Sequence, residues 1–185
     1  MEYSGLTEKK LASEAIYEGG WLRIFRDTVS LPDGNRASRE YIRHIGAVCV
    51  VPLTENGQVV VERQFRYPIG KVTLEIPAGK LNTTDEIPAE AARRELKEET
   101  GAEAGELIDL GDLYCAAAYS DEKIRVFLAR NLVFGQAQRD EDEFMSVELI
   151  GLEELVREIL AGNVPDAKTQ AAVLRVYLLL KEGLR

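Results

Sequence analysis

A chain of 185 residues, 45% hydrophobic and 30% charged, has the length of one domain with a small appendage and enough apolar residues for a sizeable core. Its formal net charge of −9 excludes a sequence-independent nucleic-acid binder, which needs surplus Lys and Arg to neutralise phosphates. No apolar run approaches the roughly 18 residues of a membrane-spanning helix, the N-terminal stretch has no signal-peptide core, and Cys49 and Cys115 read as reduced thiols in apolar surroundings; a cytoplasmic protein with no membrane partner is expected.

Residues 1–45 read as a unit of their own. The strand-like runs 21–31 and 37–43 are separated by Pro32-Asp33-Gly34-Asn35, so an antiparallel hairpin or small sheet is expected there. Trp21, the single tryptophan, stands at its start and is expected to be a buried aromatic, with a base-stacking surface as the alternative. His44, the single histidine, is given a structural role. The continuously apolar run 46–53 (GAVCVVPL) predicts a buried strand. Asn56-Gly57 then turns the chain into the strand 59–66, and a hairpin is expected. Arg66 sits between Phe65 and Tyr67; it is either a surface ion-pair partner or a holder of phosphate or ribose, since a guanidinium makes bidentate contacts to oxyanions.

A short strand over 72–76 leads to loop signals at Pro77-Ala78-Gly79 and Asn82-Thr83-Thr84. A helix follows, with Asp85 as expected N-cap, Pro88 in the first turn, Gly101 as the stop, and Ile87, Ala91, Ala92 and Leu96 on the buried side. Helical spacing puts Glu95, Glu98 and Glu99 at i, i+3 and i+4, three carboxylates on one face. Such like-charge neighbours cost an isolated helix roughly 0.2–0.5 kcal/mol per pair. Arg94 reaches Glu98 across one turn but is not expected to neutralise the whole cluster. A divalent cation would; Mg²⁺ takes oxygen ligands and binds between one or two carboxylates and substrate phosphates. A solvated acidic helix face is the alternative.

Strands are expected at 107–113 and 123–129, joined by a small-residue loop over 114–122 that could line a pocket. A polar connection over 131–143 carries Asp140-Glu141-Asp142-Glu143, by itself a solvated loop. A strand at 146–149, a helix at 152–161 and an Asp166-capped helix to about residue 182 complete the chain. Strands and helices mix without strict alternation, which predicts α+β or an α-β-α sandwich rather than a doubly wound parallel sheet.

The segment 79–102, GKLNTTDEIPAEAARRELKEETGA, resembles the signature of the Nudix hydrolases: Gly79, Glu86, Arg94, Glu95, Leu96, Glu98, Glu99 and Gly101 match in order. Two positions depart. Six residues rather than five separate Gly79 from Glu86, unless Asp85 takes the Glu position, and Ala102 is smaller than the usual aliphatic. The resemblance implies the Nudix fold, a mixed sheet between helices, over residues 46–185, with 1–45 as an N-terminal β subdomain serving dimerisation. The stretches 40–48, 64–68, 74–80, 120–124, 140–144 and 166–169 further resemble the ADP-ribose pyrophosphatase branch, whereas 115–119 (CAAAY) departs from its usual turn.

Carried onto this sequence, the resemblance implies that the Ala78 carbonyl and the Glu95 and Glu99 carboxylates bind metal, with Glu143 completing the site. Glu141 and Glu98 are the implied catalytic residues, Glu141 as the base or the group that orients water. Arg66 and Glu75 are implied to contact substrate, and Trp21 to meet a base across a homodimer. The implied activity is Mg²⁺-dependent hydrolysis of a nucleoside diphosphate sugar, with Mn²⁺ as a substitute ion and ADP-ribose, cleaved to AMP and ribose 5-phosphate, as the first substrate. GDP-mannose or another sugar nucleotide is the alternative substrate. A non-catalytic sensor on the same fold is the rival class; it should lack a motif carboxylate, and Glu95, Glu98 and Glu99 are all present.

Overall fold

The computed structural model describes residues 3–138 and 144–183. The chain forms two compact units, Met1–Ile45 with Tyr114–Lys123, and Gly46–Leu113 with Ile124–Arg185.

The first unit is an antiparallel sheet of β1 (Lys9–Glu18), β2 (Arg23–Ser30) and β3 (Arg36–Arg43), in that order. The turn between β2 and β3 is built by Asp33, whose carboxylate accepts the Asn35 N–H at 2.9 Å and is held below its ordinary pKa by that bond. Trp21 was expected to be buried but is 63% exposed. The packed aromatics are instead Phe25 and Tyr41, with ring centroids 6.1 Å apart and the Arg43 guanidinium 3.9 Å from the Phe25 centroid. β1 has no counterpart in the sequence reading. Every residue in it is exposed, so no burial periodicity marks it. The chain returns at Tyr119, whose carbonyl accepts from Ile42, and Asp121 accepts the His44 N–H at 2.6 Å. The buried His44 side chain lies 3.6 Å from Glu122, in keeping with a structural role.

The second unit contains β4 (Ala47–Pro52), β5 (Gln58–Arg66), β6 (Lys71–Glu75), β7 (Ala78–Lys80), α1 (Pro88–Thr100), β8 (Ala102–Leu113), β9 (Ile124–Phe134), β10 (Met145–Gly151), α2 (Leu152–Leu160) and α3 (Ala167–Lys181). Strands β7-β4-β9-β8 form a mixed sheet in which only β4–β9 is parallel; β10-β5-β6 form an antiparallel one. The apolar run of β4 is explained by its two covered faces. Val48 and Val50 pack with Ala91, Ala92 and Leu96 of α1, while Cys49 and Val51 pack in the cluster that includes Leu155, Ile159 and Val173 of α2 and α3. Period-two alternation along one strand therefore serves both helical layers, and the expected mixed α+β sandwich is present.

Five local expectations differ. The turn at 55–58 does reverse the chain, yet β4 and β5 enter different sheets and share only the Leu53–Val59 bridge. A turn signal fixes a reversal, not which strands then pair. Ile87, not Asp85, is the N-cap of α1, and it has no side-chain capping bond. Isoleucine has no acceptor to cap with; Pro88 fixes the boundary, because at the first helical position its missing N–H leaves one fewer donor unsatisfied and it holds the residue before it in extended geometry. Ile87 is accordingly 56% exposed rather than part of the buried side. Cys49 is buried as expected, but Cys115 is exposed; neither is in a disulfide. Finally, β9 runs to Phe134, through residues read as a polar connection. Among the described residues no helix is long and apolar enough to cross a membrane.

Candidate active site

The site is organised by five consecutive residues, Glu75 to Gly79, held by residues of β5, α3, β4 and α1. Glu75, the last residue of β6, is 1% exposed. Its carboxylate takes a bidentate contact from Arg66, Nε to Oε1 at 2.8 Å and Nη2 to Oε2 at 2.6 Å. Thr73 Oγ1 donates to Oε1, and Lys168 Nζ to Oε2. Burial pushes the Glu75 pKa up, but Arg66, Lys168 and Thr73 together outweigh it and hold the carboxyl at about 2. The Ile76 N–H donates to Thr169 Oγ1 at 3.0 Å, and the Pro77 carbonyl accepts from Val50 at 2.9 Å. The Ala78 N–H donates to Glu99 Oε2 at 3.1 Å. Gly79 lies against the Glu95 carboxylate.

The helical spacing of the acids is realised on α1. Glu99 is 5% exposed and faces the Ala78 backbone; Glu95 is nearly buried, and Glu98 lies further out. Arg94 does more than expected. Its Nη1 meets Glu95 Oε1 at 2.7 Å and Glu98 Oε2 at 3.1 Å, and its Nε meets Glu86 Oε1 at 3.3 Å. Burial works against the Arg94 charge, but Glu95, Glu86 and Glu98 raise its pKa. One guanidinium thus bridges three acids, where the sequence reading gave it one. Glu86 also accepts the Asn82 N–H at 2.5 Å, and this bond chiefly holds its pKa low. That contact closes the loop before α1, and it is Glu86 that meets Arg94.

The donor chemistry fits a hard divalent cation, with carboxylate oxygens crowded on one helix face beside the backbone of a glycine loop. In the structure the cationic partner is Arg94, and among the described residues no three His, Cys, Asp or Glu side chains converge as a ready ligand set. Gly79 shows how tight the cradle is. A Cβ there would lie 2.0 Å from Glu95 Cδ and 2.2 and 2.3 Å from its oxygens. Because the obstacle is the end of a flexible side chain, Gly79→Ala is expected to keep the fold but displace the Glu95 carboxylate. Thermal melting should stay close to wild type, while divalent-ion-supported turnover falls by roughly a hundredfold. Wild-type turnover in a folded Gly79→Ala protein would separate Glu95 from the chemistry.

Comparison with known proteins agrees with this geometry. Residues 43–172 match the family described as NUDIX domain, and residues 8–42 match the nucleoside diphosphate sugar hydrolase N-terminal domain. The chain belongs to the Nudix hydrolases. This Nudix hydrolase is 40% identical to the ADP-ribose pyrophosphatase of Bacillus subtilis over 182 residues, 97% of each chain. It is 37% identical to a methanol dehydrogenase activator of Bacillus methanolicus over 180 residues, 96% of each. A solved ADP compounds hydrolase superposes with a TM-score of 0.82 at 23% identity, covering 97% of this chain and 98% of that one, which establishes the common fold.

In this Nudix hydrolase, Glu99 of α1 meets Ala78 of β7 and Glu95 lies against Gly79, whereas Glu98 stands further out and shares Arg94 with Glu95; Arg66 and Glu75 form a pair at the end of β6. Trp21 belongs to the first unit, on the connection between β1 and β2. Glu141 and Glu143 lie outside the described residues. The chain leading towards them is anchored at the C-terminal end of α1: Gly135 N–H donates to the Gly101 carbonyl at 2.7 Å and Gln138 N–H to the Glu98 carbonyl at 2.9 Å. Gly101 allows this twice over, with φ of 73° and backbone atoms of 135–137 within 2.5–3.0 Å of where a Cβ would sit. Nothing local in the sequence assigns roles to Lys168 and Thr169. The Asp-Ala-Lys-Thr stretch was visible as a resemblance, but no local pattern told that its side chains reach residues 93 positions earlier.

Proposed function

We propose that this protein hydrolyses the diphosphate of nucleoside diphosphate sugars, with ADP-ribose as its preferred substrate, giving AMP and ribose 5-phosphate. The observation that carries the reading is the acid cluster of α1, with Glu95 and Glu99 against the Ala78-Gly79 backbone and Arg94 bridging Glu95 and Glu98. The N-terminal match to nucleoside diphosphate sugar hydrolases and the B. subtilis relative support the substrate class.

In this reading Glu95, Glu99 and the Ala78 carbonyl hold a divalent cation, Mg²⁺ with Mn²⁺ as a substitute, and Glu143 completes the set. The ion, when bound, supplies positive charge beside the diphosphate. The protein's own groups do the rest. Arg66, half-exposed and fixed in orientation by Glu75, offers its outer N–H groups to substrate oxygens. Glu75 has both oxygens engaged within the protein, so it serves substrate through Arg66 rather than by touching it. Glu141 takes a proton from water as its oxygen bonds to one phosphorus and the bridging P–O bond breaks. Glu98 keeps the position of Arg94 and anchors the backbone of Gln138, three residues short of Glu141.

The homodimer belongs to this proposal as well. It is supported by the exposed apolar side chains of β1, Leu11, Ile16 and Tyr17, and by the exposed Trp21, which is suited to stack on a base.

The test is hydrolysis of ADP-ribose, GDP-mannose, UDP-glucose, NADH and an 8-oxo nucleoside triphosphate with Mg²⁺ or Mn²⁺, products resolved by chromatography. AMP release from ADP-ribose at a kcat/KM at least tenfold above the others is expected. A preference for GDP-mannose would reassign the pocket, with 115–119 the first stretch to alter. Absence of turnover with ligand binding retained would favour a sensor.

A further inference from the structure

The N-terminal turn of α3 has no place in the proposed chemistry, yet it holds both parts of the site. Asp166 caps the helix by accepting the Thr169 N–H on Oδ2 at 2.9 Å, and the same oxygen accepts from Lys168 Nζ at 3.1 Å. Lys168 Nζ also donates to Glu75 Oε2. Thr169, fully buried, accepts the Ile76 N–H on Oγ1 at 3.0 Å. Two adjacent side chains therefore grip two adjacent residues of the strand end. One acts on the carboxylate that orients Arg66; the other acts on the backbone two residues before Ala78.

Resting on the reading of Arg66 as a substrate contact and Ala78 as a metal ligand, we infer that Lys168 and Thr169 are positioning residues, Lys168 for the Arg66 guanidinium and Thr169 for the Ala78 carbonyl. The placement of a lysine here calls for a reason. A cation in the first turn of a helix opposes the macrodipole, and burying it is costly unless it is paired. A turn that only had to pack on the sheet would do better with an apolar or acidic side chain. Lys168 accepts both penalties and spends its charge on Glu75 and Asp166. Burial alone would lower its pKa, but Asp166 and Glu75 raise it, so it stays an ammonium. Arg66 approaches Glu75 from the half-exposed side, whereas Lys168 meets it from the buried side, so the carboxylate that aims the guanidinium cannot swing away. Thr169 adds the corresponding restraint on the main chain, which Val50 and Glu99 continue through Pro77 and Ala78.

A purely structural role would change stability or the active fraction, leaving KM and metal affinity where they were. The experiment compares Lys168→Met, Lys168→Arg, Thr169→Val and Thr169→Ser with the wild-type full chain, all checked for cooperative melting. Lys168→Met is expected to raise KM for ADP-ribose at least tenfold with kcat within threefold, and Lys168→Arg to recover most of that loss. Thr169→Val is expected to weaken Mn²⁺ binding at least fivefold, followed by electron paramagnetic resonance without substrate, and Thr169→Ser to restore it. If Lys168→Met does not fold, Lys168→Gln takes its place under the same KM criterion, and the threonine pair tests the Ala78 assignment independently. Wild-type KM in folded Lys168→Met, or wild-type Mn²⁺ affinity in folded Thr169→Val, overturns the corresponding assignment. The two readings fail separately: a wild type without hydrolase activity defeats the proposed substrate, whereas the Mn²⁺ titration of the threonine variants needs no substrate.

Discussion

Glu99→Gln is expected to lower turnover by two to three orders of magnitude while leaving the protein folded. Glu99 is the most deeply placed acid of the α1 cluster, 5% exposed, with Oε2 receiving the Ala78 N–H at 3.1 Å. Gln has the same shape, and its carbonyl oxygen can keep that bond; the change removes the negative charge and little else. The carboxylate of Glu95, one turn away, loses a like-charged companion, which relieves roughly 0.2–0.5 kcal/mol. Melting without divalent ions should therefore be equal to wild type or slightly higher. With Mn²⁺ the order should reverse, since wild type gains stability from an ion that the variant binds more weakly. The opposite displacement of melting temperature with and without the ion is the signature to look for, together with the loss of kcat. Turnover within threefold of wild type would remove Glu99 from the metal site.

The acid cluster could be read from sequence because it depends on one local variable. If residues 88–100 are helical, Glu95, Glu98 and Glu99 must share a face, and Ala91, at i−4 from Glu95, must adjoin it, so that Glu99 is buried beside Ala91, Ala92 and Leu96 while Glu98 stays at the outer edge. Gly101 stops the helix at φ 73°, as its position suggested. The apolar run of β4 was legible for the same reason, although its service to two layers became clear only from the packing. What was missed depends on contacts far apart in the chain. β1 is exposed along its whole length and leaves no alternation. β7 is three residues long and is a strand only because β4 lies beside it. Trp21 was placed inside on hydrophobicity alone, although Phe25 and Tyr41 supply the packed aromatics of that sheet. Arg94 was underestimated because its third partner, Glu86, lies in the loop before the helix, where no helical periodicity reaches. The assignment of Glu75 as a direct substrate contact came from the resemblance. The packing adds what the sequence does not show: Glu75 is buried and takes four donor contacts, two of them from Arg66.

Glu75→Gln is expected to give the largest loss of stability of any single change in the site, about 3 kcal/mol at neutral pH, by leaving two cations facing a neutral amide in a buried position. The size follows from the carboxyl's own titration. Its pKa is lowered from 4.5 to about 2 in the folded protein, and a shift of that extent corresponds to about 3 kcal/mol of preference for the ionised form. The sign fixes the pH window. A carboxyl with a depressed folded pKa contributes its stability above the unfolded value, and that contribution is lost as pH falls from about 4.5 towards 2. Urea unfolding at pH 7, 5, 4 and 3 should show a wide gap between wild type and Glu75→Gln at the two higher values and a narrowing one below. The narrowing is specific to this residue, because other acids titrate equally in both proteins. A gap that stays constant to pH 3 would mean that Glu75 is not held ionised by Arg66 and Lys168. At pH 7 the surviving folded enzyme should also show a raised KM, since an amide offers one acceptor oxygen where the guanidinium now uses two.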